Sequence, residues 1–178
     1  DIVIADLPNC IPSHTEHHLI DSKNQAITET LLQQLSINYD SELTLERLPF
    51  RARCERHIIN DSKATNLHAT YHALQSVLAN HQRITLILAG LSKGDDPTQL
   101  IALITKNKVD LMIIGTCHQD FSTIPHQRFA NIEACLSQLD LTSVILFSPG
   151  GSSYDQYEDY AARGRHFETI INDTMARA

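Results

Sequence analysis

The chain has 178 residues, 42% of them hydrophobic, and a formal net charge of −7. That length suits one domain with a real core plus an appendage. The acidic balance is the opposite of a nucleic-acid binder's basic footprint, and no apolar run has the length of a membrane span or the shape of a signal peptide.

In chain order, Asp1-Ile2-Val3-Ile4-Ala5 reads as a strand begun in mid-stride without an initiator Met, as expected of a fragment of something larger. A loop with His14, His17 and His18 follows, better explained as solvated than as a metal site. One amphipathic helix is predicted over 23–35, and Asn38-Tyr39-Asp40-Ser41 resembles a linker. A strand is predicted at 57–60. Leu67, Tyr71, Leu74 and Leu78, spaced four, three and four, predict a helix. Strands are predicted at 84–89, 111–114 and 144–147. Their residues are apolar at successive positions, as in strands covered on both faces of a parallel sheet. Leu100, Leu103 and Ile104 predict a helix opened by Asp95-Asp96-Pro97, since proline is tolerated in a first turn. Tyr154, Tyr157, Ala161, Gly164, Phe167 and Ile171 form the stripe of a C-terminal helix. Strand alternating with helix implies an α/β fold, a Rossmann-like, mostly parallel sheet flanked by helices. The four cysteines, Cys10, Cys54, Cys117 and Cys135, form no CxxC pair. Reduced thiols in the cytoplasm are the default expectation.

In such sheets ligands gather outside the carboxyl ends of the strands. Three polar loops leave those ends. Asn60-Asp61-Ser62-Lys63-Ala64-Thr65-Asn66 offers a lysine, a carboxylate and two hydroxyls at a helix start. Helix-start amides favour anions, yet the same residue types are ordinary N-caps, so both readings stand. Ala89-Gly90-Leu91-Ser92-Lys93-Gly94-Asp95-Asp96 carries a lysine among small residues without the spacing of a P-loop. Ser148-Pro149-Gly150-Gly151-Ser152-Ser153 brings hydroxyls and free amides to what reads as another helix start, with Ser152 or Ser153 as its cap. If all three open on one edge, two lysines, Thr65 and the serine-rich segment surround a pocket suited to a small molecule with one or two carboxylates. Neither a Ser–His–Asp set nor a metal-ligand cluster is apparent. The chain reads as a binding half without its own catalytic engine.

The ordered set Leu48-Pro49-Phe50-Arg51, Asn60-Asp61-Ser62-Lys63-Ala64-Thr65-Asn66, Gly90-x-x-Lys93, Ser148-Pro149-Gly150-Gly151-Ser152-Ser153-Tyr154-Asp155-Gln156 and Arg163-Gly164-x-x-Phe167 resembles the C-terminal domain of the Mur ligases, nearest their D-glutamate-adding branch. The resemblance implies residues 48–178 as that domain and residues 1–47 as a remnant of the central ATPase domain and linker. It implies ATP and Mg2+ as cofactors, the magnesium ligands lying mostly in the central domain. The implied substrates are glutamate and UDP-N-acetylmuramoyl-L-alanine, joined through an acyl phosphate by a monomer. By motif, Lys63 and Lys93 take catalytic roles, while Thr65, Lys93, Ser153, Tyr154 and Tyr160 hold the amino acid. Asn24, Arg51 and Asp61 face ATP. The chain departs from the family pattern in Phe50 for His, Tyr160 for Phe, Lys23 for the His of a His-Asn pair, and a shortened hairpin over 51–61. The chain alone is expected to be inactive in ligation. An L-glutamate-adding relative and a non-catalytic amino-acid-binding module are the alternatives. A diamino-acid adder is disfavoured, because the carboxylate-clamping motif expected of one is not found.

Overall fold

A computed structural model describes residues 53–55, 57–116 and 118–177, all within one structural unit, Arg47–Ala178. The helix predicted over 23–35, the linker, and Asn24, Phe50 and Arg51 lie outside the described residues.

Six strands form one sheet: β1 (Arg53–Glu55), β2 (Ile58–Asn60), β3 (Ile84–Leu88), β4 (Asp110–Ile114), β5 (Gln127–Phe129) and β6 (Val144–Phe147). The order across the sheet is β1-β2-β6-β3-β4-β5. All neighbours pair in parallel except β1, which runs antiparallel to β2. Glu55 pairs with Ile58, so the shortened hairpin is a tight one. The expected α/β, mostly parallel sheet is what the chain forms.

Among the described residues four α-helices flank the sheet: α1 (Leu67–Leu78), α2 (Thr98–Asn107), α3 (Ile132–Leu136) and α4 (Tyr160–Arg177). Successive strand residues point to opposite faces, which explains the unbroken apolar runs. Ile84, Leu86 and Leu88 of β3, with Leu111, Ile113, Val144 and Leu146, bury one core with Leu74 and Val77 of α1 and Leu100 and Ile104 of α2. Ile87, Met112, Ile114, Ile145 and Phe147 bury the other with Ile132 and Cys135 of α3 and Phe167 and Ile171 of α4. Phe147 and Phe167 stack with ring centroids 4.3 Å apart, locking α4 to the sheet. Cys135 is a buried free thiol whose pKa burial pushes up to about 12, so it behaves as an inert hydrophobe. Among the described residues no helix is long and apolar enough to cross a membrane.

The chain leaves β2 and β3 for α1 and α2 on one face, and leaves β6 for α4 on the other. Since β6 lies between β2 and β3, the loops diverge there, opening the crevice in which α/β sheets bind ligands.

Candidate functional site

The parallel strands deliver all three motif loops to one edge, where hydrogen bonds stitch them together. The Asp61 amide donates to Phe147 O at 2.8 Å, extending the β2–β6 pairing by one residue. Asp61 is 6% exposed, and its Oδ2 accepts from Ser148 Oγ at 3.0 Å. Gly150 N donates to Ala64 O at 3.0 Å, and Ala89 N to Pro149 O at 2.9 Å. Leu91 and Ser152 exchange two backbone bonds of 2.9 and 2.8 Å, a one-rung bridge between the second and third loops.

Asn66 is the N-cap of α1, its side chain accepting from Ala69 N at 2.8 Å. The next amide, Leu67 N, donates to Asp95 Oδ2 at 3.0 Å. The anion at this helix start is therefore the chain's own carboxylate, contributed by the second loop.

The third loop differs from expectation. Residues 151–159 form bends and turns around the Ser152 bridge, and α4 begins only at Tyr160. Ser153 O accepts from both Gln156 N and Tyr157 N, closing a turn, and the helix start is set by Asp159, whose Oδ1 accepts from Ala162 N at 2.6 Å. Tyr154, read as part of the helical stripe, is 76% exposed. Ser152 and Ser153 cap nothing, whereas Ala161, Gly164, Phe167 and Ile171 do line the buried face of α4.

The residue that motif reading quoted without assigning a role is Arg163, 2% exposed. Its Nε donates to Ser62 Oγ at 3.0 Å, Nη2 to Ser62 O at 2.9 Å and Nη1 to Gly151 O at 3.0 Å. Ser62 Oγ donates onward to Tyr160 O at 2.8 Å. One guanidinium thus fastens the first loop, the third loop and α4 together. A signal was present: Arg163, Phe167 and Ile171 are spaced four and four, which puts a cation on the helix's inward face.

The other expected site residues fall as follows. Lys63 is half-buried, its Nζ 4.6 Å above the Tyr160 ring, a cation–π contact joining two of them directly. Thr65 is half-buried in the same loop, Ser153 is buried beneath the third, and Lys93 is exposed on the second. Between the diverging loops lies a small cleft lined by Ala89, Gly90, Phe147, Asp155, Tyr157 and Arg163. Among the described residues no three His, Cys, Asp or Glu stand close enough to hold a metal ion. Lysines beside backbone amides can neutralise and bond a carboxylate, or negative charge as it develops.

Below the edge lies His118, at φ 54° and 2% exposed. Its Nε2 is 3.1 Å from Ala89 O and donates to it, while Nδ1 has no partner. Burial holds the ring below its ordinary 6.5, so the fold favours the neutral ring, whereas the unfolded chain takes a proton near 6.5. The stability that it contributes is full above 6.5 and falls as pH drops through 6.5 toward the depressed folded value. Urea midpoints measured from pH 7.5 to 5.5 should therefore decline, and His118→Asn, which suits a left-handed position, should flatten that decline. An unchanged slope would refute it.

The chain is similar to curated proteins named UDP-N-acetylmuramoylalanine--D-glutamate ligase. It is 35% identical to that of Thermotoga petrophila over 124 residues, which is 65% of this chain and 28% of the relative. It is 29% identical to that of Fervidobacterium nodosum over 170 residues, 86% of this chain and 40% of the relative. The Chlamydia caviae protein is 31% identical over 127 residues, 66% and 30% of the two chains. This chain therefore spans well under half the length of the curated relatives that it matches. No family model matches it.

Proposed function

We propose that this chain carries a Mur ligase domain and that the edge bearing Lys63, Thr65, Lys93 and Ser153 is the amino-acid pocket of a peptidoglycan-precursor ligase, one that joins D-glutamate to UDP-N-acetylmuramoyl-L-alanine. The observation that supports this most is the stitching of the three motif loops into one edge, with Arg163 as the common fastener.

In this reading residues 48–178 form the amino-acid domain, and residues 1–47 are what remains of the central ATPase domain. ATP phosphorylates the muramoyl carboxylate, and the glutamate amine attacks the acyl phosphate. Lys63 and Lys93 stabilise the negative charge that grows as the tetrahedral intermediate forms. Thr65 faces the incoming glutamate beside them, and Ser153, the backbone around Tyr154 and the position of Tyr160 receive the side-chain carboxylate. Arg51 and Asn24 are assigned to ATP together with Asp61. The burial of Asp61 and its bond to Ser148 favour a share in shaping the edge as well. Mg2+ is assigned to the central domain, and the enzyme to the cytoplasm as a monomer.

Amide NMR titration of the 178-residue chain with D-glutamate, L-glutamate and a diamino acid tests the pocket. D-glutamate should shift Thr65 and Ser153, and Lys93→Ala should weaken its binding about tenfold, as for loss of one charged hydrogen bond. Binding of L-glutamate alone would reassign the stereochemistry, and binding of none would refute the pocket. Given ATP, Mg2+ and UDP-N-acetylmuramoyl-L-alanine, the chain alone should release no phosphate.

A further inference from the structure

We propose that Glu133, His166 and Tyr157 form a proton relay that opens on the cleft, receives the ammonium group of the incoming amino acid and takes its proton. This rests on the amino-acid pocket read above. The three residues come from three elements: Glu133 from α3, His166 from α4 and Tyr157 from the turn after β6. His166 Nε2 is 3.3 Å from Glu133 Oε1, and His166 Nδ1 is 2.8 Å from Tyr157 Oη.

Proton placement follows from donor and acceptor roles. An ionised carboxylate only accepts, so Nε2 carries the hydrogen. In the neutral ring Nδ1 is then bare, and the phenol must donate to it. Tyr157 and Asp155 both line the cleft, and the lone pairs of Tyr157 Oη that remain are acceptors. The rest of the edge carries the lysines Lys63 and Lys93, which suit the carboxylates of an amino acid and repel its ammonium. Tyr157 and Asp155 supply the acceptors that the ammonium needs.

The same chain of bonds can discharge it. One ammonium proton passes to Tyr157 Oη as the phenolic proton moves to His166 Nδ1. The products are a neutral amine with a free lone pair, an intact phenol and an imidazolium held by Glu133. Burial is the main influence raising the phenol's pKa. The carboxylates of Glu133 and Asp155 push the same way, and Arg163 on α4 pulls it down. A phenol held neutral passes a proton along and does not keep a charge. Tyr157 is the group that touches the amine, and His166 and Glu133 act through it.

The test compares glutamate with glutarate, which has both carboxylates and no amine, by NMR titration of the 178-residue chain and of Tyr157→Phe. Tyr157→Phe should weaken glutamate binding about tenfold and change glutarate binding less than twofold. Imidazole nitrogen shifts should report His166 as the Nε2–H tautomer in the free chain and as imidazolium once glutamate binds. Equal loss of both ligands, or no loss, would overturn the relay and leave the pocket standing. An imidazole that stays neutral with glutamate bound would overturn the proton step. Failure of the unaltered chain to bind either ligand would overturn the pocket and the relay together.

Discussion

Arg163→Met should lower the unfolding free energy by about 3–5 kcal/mol, the range for removing a buried charged partner and leaving its acceptors unpaired. The substitution keeps an unbranched chain of similar length on the buried face of α4 but removes all three bonds to Ser62 and Gly151. Two carbonyls and a hydroxyl that the guanidinium bonds then lose those partners at a buried edge. Arg163→Lys should recover only part of the loss, because a single ammonium cannot reproduce a planar fork that spans two loops. Arg165→Met, two residues along and exposed, should change stability by no more than about 0.5 kcal/mol. Urea denaturation of the three variants is the measurement, and an Arg163→Met protein within about 1 kcal/mol of wild type would show that the fastener is dispensable.

Gly90→Ala should be nearly as damaging, at about 3 kcal/mol or more, through a backbone mechanism. Gly90 sits at φ 80°, where a side chain is strained, and a Cβ there would collide with Ser152 O and lie 2.7 Å from Arg163 Nη1. The bridge between Leu91 and Ser152 cannot persist around it. Gly94 is the built-in control: it has φ 77° in the same loop but nothing within 4 Å. Gly94→Ala should therefore carry only the conformational cost, about 1–2 kcal/mol. Amide exchange at Leu91 and Ser152 separates the cases, since it should accelerate in Gly90→Ala alone. Equal destabilisation by both substitutions would mean that strain, and not contact, governs the edge.

What could be read from the residues follows from burial. β2, β3, β4 and β6 were legible because both of their faces are covered, which forces apolar side chains at consecutive positions. β5 was not, because Gln127 and Arg128 are exposed edge residues with no apolar run to betray them. Helix α3 is five residues long, too short for a 3.6-residue period to register. The start of α4 was misread because Tyr154 and Tyr157 fall on the helical spacing by coincidence, while Asp159 decides where the helix begins. At the site, Lys63 and Tyr160 were named from motif and do meet. The carboxylate that Asp95 lends to α1 could not be foreseen, because no local pattern links residues 28 apart. Tyr157, His166 and Glu133 likewise meet only through the packing of α3 against α4.

The place of β6 has a kinetic meaning. β6, made after the other five described strands, is a central one, pairing Ile58 with Ile145 on one side and Ile84 with Val144 on the other. Until ribosomal synthesis passes Phe147, β2 and β3 have no common neighbour, and each keeps an open edge of unpaired amides and carbonyls. A nascent chain halted short of that point holds a split sheet with apolar faces exposed, the sort of species that chaperones intercept. Commitment to the native state therefore waits on the C-terminal quarter, and long-range pairing should make that commitment slow relative to the formation of α1 and α2.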